Sequence, residues 1–451
     1  MRRDDNAPEP VLPAGLTTAV GGVAGRRLRR PDAGPLAGLA PVVLLLAVPL
    51  SVAALRQAGC LADGWRGGTP LWRQCASPLV ESLPAAGLGR GLTAYLSGDV
   101  RLDEPVLTGV VTAALAGLAP GSGTGQQRWF LVLWMLLASV LLVALVLVVA
   151  TVRRHPAVDP VVLALSPVLA LTVLLSADLV PVLLAVTAVW AWSRDRPALA
   201  GVVAGLAMTG GALAAVVLLA MAALPGSGGA RAVGRLLAAA VATVAGVAAV
   251  VALADPGTLT RPYAAWLRDG AGPGSPWYLA TLAGHPVDPT LVAVGAAVGA
   301  LLSVVLVLAL ARRRPPTVVA AAVVVGLVAV MLSAPALPPA VGIWLVPFIA
   351  LLGVSWWDHL LWAGAEVVHA VALLAYLSAA ADPVHGLPAG WYAEALMLRL
   401  LALGWLGVRV WANWADAGAA GTLAWLPSRR PVENPPGRVG ANAYPPVTEG
   451  P

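Results

Sequence analysis

The chain contains no lysine, and that absence excludes two classes of chemistry. A Walker-type phosphate loop needs a lysine to reach the nucleotide phosphates, and Schiff-base catalysis needs a lysine amine. Arginine alone therefore carries the formal net charge of +6. The arginines lie in short breaks between apolar runs and form no single clustered basic surface. They indicate membrane topology, and we expect no nucleic-acid partner.

Charged residues of any kind are scarce. They make up 11% of the 451 residues, whereas 59% are hydrophobic, and the mean hydropathy is +0.84. A water-soluble protein of this size could not expose such a surface without aggregating. The composition therefore predicts an all-α polytopic membrane protein.

Apolar runs long enough to cross ~30 Å of hydrocarbon recur along the chain, and we count about ten to twelve of them. The predicted spans are residues 36–55, 129–152, 160–175, 179–192, 199–224 as two short segments divided at Gly210 and Gly211, 236–253, 290–311, 317–332, 341–354, 360–378 and 392–410. Residues 105–118 are too few to cross comfortably, so we expect a juxtamembrane or re-entrant helix there.

The arginine distribution orients these spans. Four arginines precede the first span: Arg26, Arg27, Arg29 and Arg30. They place the N-terminus in the cytoplasm and the polar loop of residues 56–104 outside. Residues 1–34 and the Pro-rich residues 413–451 lack apolar periodicity and are predicted to be loosely ordered cytoplasmic ends of a membrane domain covering residues 35–412. We expect a multi-pass protein of the plasma membrane with both termini in the cytoplasm.

The two cysteines of the chain, Cys60 and Cys75, both fall in the large external loop. An oxidising compartment permits them to pair, and a disulfide is favoured over two free thiols. Trp65 and Trp72 lie between them and are predicted to anchor the loop at the membrane interface.

A series of short motifs runs from the external loop to the last spans. They are Cys75 followed by Arg90-Gly91-Leu92, Asp103-Glu104-Pro105-Val106-Leu107-Thr108-Gly109, Leu165-Ser166-Pro167, Ser176-Ala177-Asp178, Ala200-Gly201 with Gly205-Leu206, Gly274-Ser275-Pro276-Trp277-Tyr278, and Trp344-Leu345-Val346-Pro347 followed by Trp362 and Glu366. In this order they resemble the motifs of the actinobacterial polytopic mannosyltransferases of glycosyltransferase family 87. The resemblance covers most of residues 36–412.

The resemblance implies a GT-C-type bundle of membrane helices with an acidic catalytic group in the external loop. It also implies a polyprenyl-phosphate-linked sugar as donor, a glycolipid or glycan acceptor, contact with membrane lipid and no separate cofactor. Arginine suits the donor phosphate because its planar fork pairs with phosphate oxygens. The external candidates for that contact are Arg90, Arg101, Arg261 and Arg268.

Three polar sites of the family pattern are missing. The family's Cys-Tyr-Ser-Asp reads Cys75-Ala76-Ser77-Pro78, its Thr-Lys pair reads Thr209-Gly210, and its Ser-Pro-Gln reads Pro335-Ala336-Leu337. Proline cannot accept a proton, so the usual loop base is absent from its place. The pattern predicts either a relocated active site or a catalytically silent relative.

Asp103 and Glu104 in the loop, and Asp178 at the outer end of a span, are the catalytic candidates that remain. An acid at the membrane surface can accept a proton from an acceptor hydroxyl when a lipid-linked donor is held beside it. The alternative for Asp103 and Glu104 is a local role at the start of the helix that follows. The alternative for Asp178 is a solvated interfacial acid.

Glu366 and His369 share one face of a membrane helix. An intramembrane glutamate is a functional candidate, but a structural hydrogen bond to His369 or to Arg399 is the preferred interpretation. The histidines otherwise scatter without ligand spacing, so we expect no protein-built metal site.

Three functions stay open. A glycosyltransferase with a lipid-linked donor comes first, because of the external loop and the order of the motifs. A catalytically silent relative that serves as a scaffold or binds a lipid-linked sugar comes second. A transporter comes third, on the broken segment at residues 199–224, although no inverted repeat supports it.

Topology can be tested with reporter fusions. We expect residues 56–104, 255–289 and 379–391 to lie outside and both termini to lie inside, because arginine-bearing loops stay in the cytoplasm. A reporter that is active only outside the membrane should give a signal after His285 and none after Arg314. An external signal from the fusion after Arg314 would refute this arrangement.

Overall fold

The computed structural model of the protein describes residues 39–152, 160–224, 228–312, 318–381 and 384–415. Within these ranges every regular element is a helix, and six helices are long and apolar enough to cross a membrane. The predicted class, an all-α polytopic membrane protein, is confirmed. The predicted N-terminal segment, residues 1–34, lies outside the described residues, as does the tail from residue 416 onward.

The first part of the chain forms two long helices with the polar loop between them. The first span consists of α1 (Ala40–Leu45) and α2 (Ala47–Asp63). The loop then holds α3 (Thr69–Trp72), α4 (Pro78–Ala86), a 3-10 helix (Leu88–Arg90), α5 (Gly91–Leu96) and α6 (Val106–Leu118), before α7 (Gly123–Thr151). The short helix expected at residues 105–118 is α6, which has 13 residues.

The rest of the chain alternates short and long helices. In order they are α8 (Pro160–Ala164), α9 (Pro167–Thr172), α10 (Leu179–Ser193), α11 (Pro197–Gly210), α12 (Ala214–Ala223), α13 (Gly229–Ala254), α14 (Gly257–Arg268), α15 (Tyr278–Leu282), α16 (Pro289–Ala311), α17 (Val318–Met331), a 3-10 helix (Pro339–Trp344), α18 (Val346–Leu352), α19 (Trp356–Ser378) and α20 (Ala389–Ala415). Several begin with proline, which suits the first helical position because its missing N–H would have no intrahelical partner.

Short apolar helices occupy the middle of the bundle, and two of the long ones lie at its edge. The described side chains of α17 are buried along almost the whole helix, and α18 is buried throughout. In contrast, only 17% of the most apolar stretch of α13 and 22% of that of α16 are buried. An apolar face without protein neighbours is stable only against lipid, so α13 and α16 present their faces to the membrane.

Close packing of α11 on α13 explains one of the motifs. A methyl group on Gly201 would collide with the carbonyl oxygen of Leu236, and one on Gly205 with that of Ala240. Small residues let two membrane helices approach closely and gain dispersion energy where water supplies no hydrophobic driving force. Gly201 and Gly205 therefore serve helix packing.

The polar loop is closed at its start by the predicted disulfide. Cys60 lies in the last turn of α2 and pairs with Cys75, with their Cα atoms 5.9 Å apart. The indole N–H of Trp65 donates to the carbonyl oxygen of Cys75 at 3.1 Å, and the side chain is buried. Its predicted role as an interface anchor is wrong, because the disulfide loop folds over it. Trp72 stacks on His385, with ring centroids 4.9 Å apart.

Glu366 and Arg399 form a buried ion pair between α19 and α20. The Nε of Arg399 donates to the Glu366 carboxylate at 2.9 Å, and each side chain is about 2% exposed or less. Arg399 also donates to the carbonyl oxygens of Leu337 and Pro338. The structural interpretation of Glu366 therefore holds through Arg399, while His369 approaches the hydroxyl of Tyr392 instead, at 3.3 Å.

Removal of the disulfide tests how far it stabilises the loop. It closes a segment with a sequence separation of 15 residues, for which chain entropy predicts about 3 kcal/mol. We expect the Cys60→Ser/Cys75→Ser variant to lose about that much free energy of unfolding, measured by denaturant titration with loop proteolysis as readout. Thiol labelling of both cysteines in unreduced wild-type protein would contradict the pairing.

Candidate functional site

Asp178 follows an interruption between two helices of the bundle. The chain leaves α9 after Thr172 and resumes as α10 at Leu179, so carbonyl groups in and next to this segment lose helical partners. Three side chains from other elements donate to them: Arg56 to Leu171 at 2.8 Å, Trp134 to Val173 at 2.8 Å, and Ser77 to Leu174 at 2.6 Å. Unsatisfied carbonyl groups are costly in a low-dielectric interior, so these donors hold the segment in place.

Ser77 belongs to the altered Cys75-Ala76-Ser77-Pro78 motif. Its buried hydroxyl is the group that donates to the Leu174 carbonyl, four residues before Asp178. The next residue, Pro78, begins α4. The position where the family pattern has an aspartate therefore lies next to the residue that supports the Asp178 segment.

The Asp178 carboxylate is half-buried at the N-cap of α10. The hydroxyl of Ser176 donates to it at 2.9 Å, and the side chain of Trp344 also hydrogen-bonds to it. Burial raises the pKa of Asp178, and these two donors act in the opposite direction. A carboxylate held this way is oriented and only partly solvated.

Glu104 lies just before α6 and close to Asp178. The Thr108 hydroxyl lies 3.4 Å from its carboxylate. Burial raises the pKa of Glu104 to about 7, helped by the negative charges of Asp178 and Asp103 and opposed by Thr108. Asp103 itself is exposed. Of the two candidate acids in the loop, Glu104 is therefore the one brought into the site.

The break between α11 and α12 packs against residues that lie a few positions after the two acids in the chain, and against Trp344. A methyl group on Gly210 would contact Pro181 at 3.0 Å and Leu107 at 3.3 Å, and one on Gly211 would collide with the Trp344 ring. The predicted division of residues 199–224 at these glycines is confirmed. Segments that carry four of the motifs thus meet around Glu104 and Asp178.

A cavity of about 270 Å³ is lined in part by Pro105 and Val106, the two residues that follow Glu104 in the chain. It lies between α6, the junction of α11 and α12, α13 and α14. Most of its lining is apolar. The lining includes Pro105, Val106, Thr209, Val244, Leu259 and Pro262. Thr209 is the retained half of the altered Thr-Lys pair.

The four arginine candidates are distributed unequally around this cavity. Arg261 in α14 pairs with Asp255 and donates to the Thr258 hydroxyl at 2.6 Å. Arg101 is exposed, and its charge acts on Asp255. The other two are exposed and bind backbone oxygens elsewhere: Arg90 that of Asp99, and Arg268 that of Ala264 in its own helix. Arg261 and Arg101 are therefore the two candidates that lie near Asp255.

Tyr95, Asp255 and Thr258 belong to this region and were missed from the sequence. The Thr258 hydroxyl donates to Asp255 at 2.8 Å, and this bond, followed by weaker contributions that include Arg261, lowers the pKa of Asp255. A signal existed, because Asp255, Thr258 and Arg261 recur at three-residue spacing at the start of a helix. Tyr95 offered none beyond its place in the polar loop.

Within the described part of the chain, no three His, Cys, Asp or Glu side chains are grouped so as to hold a metal ion. No model of a known protein family matches this chain, and no curated protein matches it either.

The raised pKa of Glu104 predicts a pH-dependent stability. The protonated form is the one that the fold favours, so its stabilisation is complete below the usual pKa of 4.5 and is lost as the pH rises through about 7. We expect the melting temperature of wild type to fall between about pH 5 and about pH 8, by an amount worth at most about 3 kcal/mol. Glu104→Gln should remove this component, and Asp99→Asn, an exposed acid of the same loop, should keep it. Equal pH dependence in wild type and Glu104→Gln would contradict the burial of this carboxyl group.

Proposed function

We propose that this protein is a membrane glycosyltransferase that uses a polyprenyl-phosphate-linked sugar to modify a cell-envelope glycolipid or polysaccharide. Mannose is the sugar that we expect. The protein would act at the outer face of the plasma membrane, with both chain termini in the cytoplasm. The observation that carries the proposal is the meeting of Glu104 and Asp178 among segments that bear the ordered motifs.

Glu104 has the properties of a general base in such a reaction. A catalytic acid or base works best with a pKa near the working pH, and burial raises the pKa of Glu104 to about 7. The acceptor hydroxyl would give its proton to Glu104 while its oxygen forms a bond to the anomeric carbon of the donor sugar. The bond from that carbon to the phosphate oxygen breaks, and the lipid phosphate leaves with the electron pair.

Asp178 would orient the sugar or acceptor rather than take the proton. Its carboxylate is fixed by Ser176 and Trp344, and that arrangement favours a hydrogen-bond acceptor of constant position. Sugar hydroxyl groups are suitable partners for a buried carboxylate, because the bond satisfies both groups. The two acids would therefore have different tasks, set by their different surroundings.

A catalytically silent relative is the second candidate, and Pro78 favours it. This residue is the first of α4 and replaces the acid that the family pattern has there. A transporter receives less support than the broken segment suggested, because Leu107, Pro181 and Trp344 pack against the break between α11 and α12.

Transfer from a polyprenyl-phosphate sugar tests the proposal. We expect Glu104→Gln to lower the rate by 10²- to 10⁴-fold, roughly the loss when a positioned base is removed. Asp178→Asn should lower it by about 10²-fold, the order of loss when a reacting group is misplaced. Asp103→Asn should keep most of the rate because Asp103 is exposed. The amounts of folded protein are matched by size-exclusion chromatography, and Asp99→Asn serves as control.

Two results would count against the enzyme. Full activity in both Glu104→Gln and Asp178→Asn would sink the assignment of these residues. Wild-type protein that transfers no sugar from any lipid-linked donor tested would favour the silent relative.

A further inference from the structure

The helix α14 contributes side chains both to the lining of the apolar cavity and to a charged cluster next to it. Leu259, Pro262 and Tyr263 on this helix line the cavity. Arg261, on the same helix, pairs with Asp255, and Thr258 contacts both the cavity and the pair. The body of the cavity is therefore apolar, and Thr258 connects the cavity to the Arg261–Asp255 pair.

Two hydrogen-bond donors of this charged cluster and its surroundings have no acceptor among the described residues. The hydroxyl of Tyr95 is unpaired although the side chain is only 2% exposed, and the buried Nε of Arg261 is also unpaired. Tyr95 lies close enough to Arg261, Glu104 and Asp255 for their charges to act on it. Buried donors are normally paired, so each unpaired one needs an explanation. A ligand with several acceptor oxygens would satisfy both.

The body of the cavity suits hydrocarbon. Its volume of about 270 Å³ would hold roughly nine waters at their liquid volume of ~30 Å³ each, but water needs two to four polar partners. The lining is mostly Pro, Val, Ala, Leu and Met side chains, with few polar groups. Apolar cavities of this kind take apolar molecules in preference to water.

We propose that this cavity binds the hydrocarbon chain of a phosphate-bearing amphiphile, whose phosphate displaces Asp255 from Arg261 and accepts a hydrogen bond from Tyr95. Asp255 is then the resident counter-ion that keeps Arg261 paired while the site is empty. The inference deepens the proposed function, on which its link to the lipid-linked donor rests, by assigning the groups that hold the donor's phosphate.

Phosphate fits better than a carboxylate for two reasons. It offers three acceptor oxygens, and the fork of an arginine donates to two of them at once. A second cation is near, because the charge of Arg101 also acts on Asp255. An entering phosphate would thus meet Arg261 and Arg101 against the single carboxylate that it replaces.

Binding can be measured without any sugar transfer. Full-length protein in detergent is titrated with farnesyl phosphate, with farnesol and with inorganic phosphate, by isothermal titration calorimetry. We expect farnesyl phosphate to bind more tightly than either of the other two, because each lacks one half of the ligand. Competition by phosphatidylglycerol in the same assay distinguishes a bulk lipid headgroup from a prenyl phosphate, and the shared chemistry is a phosphate ester on a hydrocarbon chain.

Variants assign the groups. Arg261→Gln and Tyr95→Phe should each weaken farnesyl phosphate binding by roughly tenfold, the usual loss of a hydrogen bond to a charged group. Asp255→Asn should strengthen binding, because it removes the competing carboxylate, and misfolding cannot produce that result. Arg128→Gln is the matched control, since Arg128 is exposed and donates to the Ala62 carbonyl.

Several outcomes would overturn the inference. If inorganic phosphate binds as tightly as farnesyl phosphate, the hydrocarbon chain adds nothing to binding and the cavity is not part of the site. If wild type and Arg261→Gln bind farnesyl phosphate equally, or if Asp255→Asn binds it more weakly, the phosphate does not displace Asp255 from Arg261. Tight, Arg261-dependent binding by a protein that transfers no sugar would uphold this site while the proposed transferase activity fails.

Discussion

The need to satisfy backbone carbonyl groups inside a low-dielectric bundle governs the arrangement of this protein. Helices α9 and α10 are interrupted just before Asp178, and the interruption persists because Arg56, Trp134 and Ser77 donate to the exposed carbonyl oxygens. In lipid each unsatisfied group would cost several kcal/mol, roughly the whole stability margin of a small domain. The polar loop, the first span and α7 therefore each donate a hydrogen bond to the segment that precedes Asp178.

A second interruption, between α17 and α18, also has backbone carbonyl groups that a side chain satisfies, and it supplies a hydrogen-bond donor to Asp178. Arg399 donates to the carbonyl oxygens of Leu337 and Pro338, directly before the 3-10 helix that leads to Trp344. Trp344 then hydrogen-bonds to Asp178. Glu366 neutralises Arg399, and because loss of one partner of a buried ion pair leaves an uncompensated charge, the pair acts as one unit. Each interruption thus supplies one donor to the carboxylate of Asp178: Ser176 from the first and Trp344 from the second.

Three acids of the candidate site differ because their surroundings differ. Burial and neighbouring negative charge raise the pKa of Glu104 to about 7, whereas the Thr258 hydroxyl, with help from Arg261, lowers the pKa of Asp255. Asp178 is held by two hydrogen-bond donors, Ser176 and Trp344. A proton acceptor, a counter-ion and a positioned hydrogen-bond acceptor can therefore coexist in one site.

The class of the protein, its disulfide and the division of α11 from α12 at Gly210 follow from the sequence, because composition, run length and local breakers act over neighbouring residues. The sequence left two matters to tertiary structure. Similar apolar runs become a buried helix in α17 and a largely exposed one in α16. Likewise, Glu104 is partly buried in the site while Asp103 is exposed, and Tyr95 lies close enough to Arg261, on a helix distant in the chain, for its charge to act on it. Burial and hydrogen-bond pairing depend on contacts between segments far apart in the chain, which no local pattern of residues encodes.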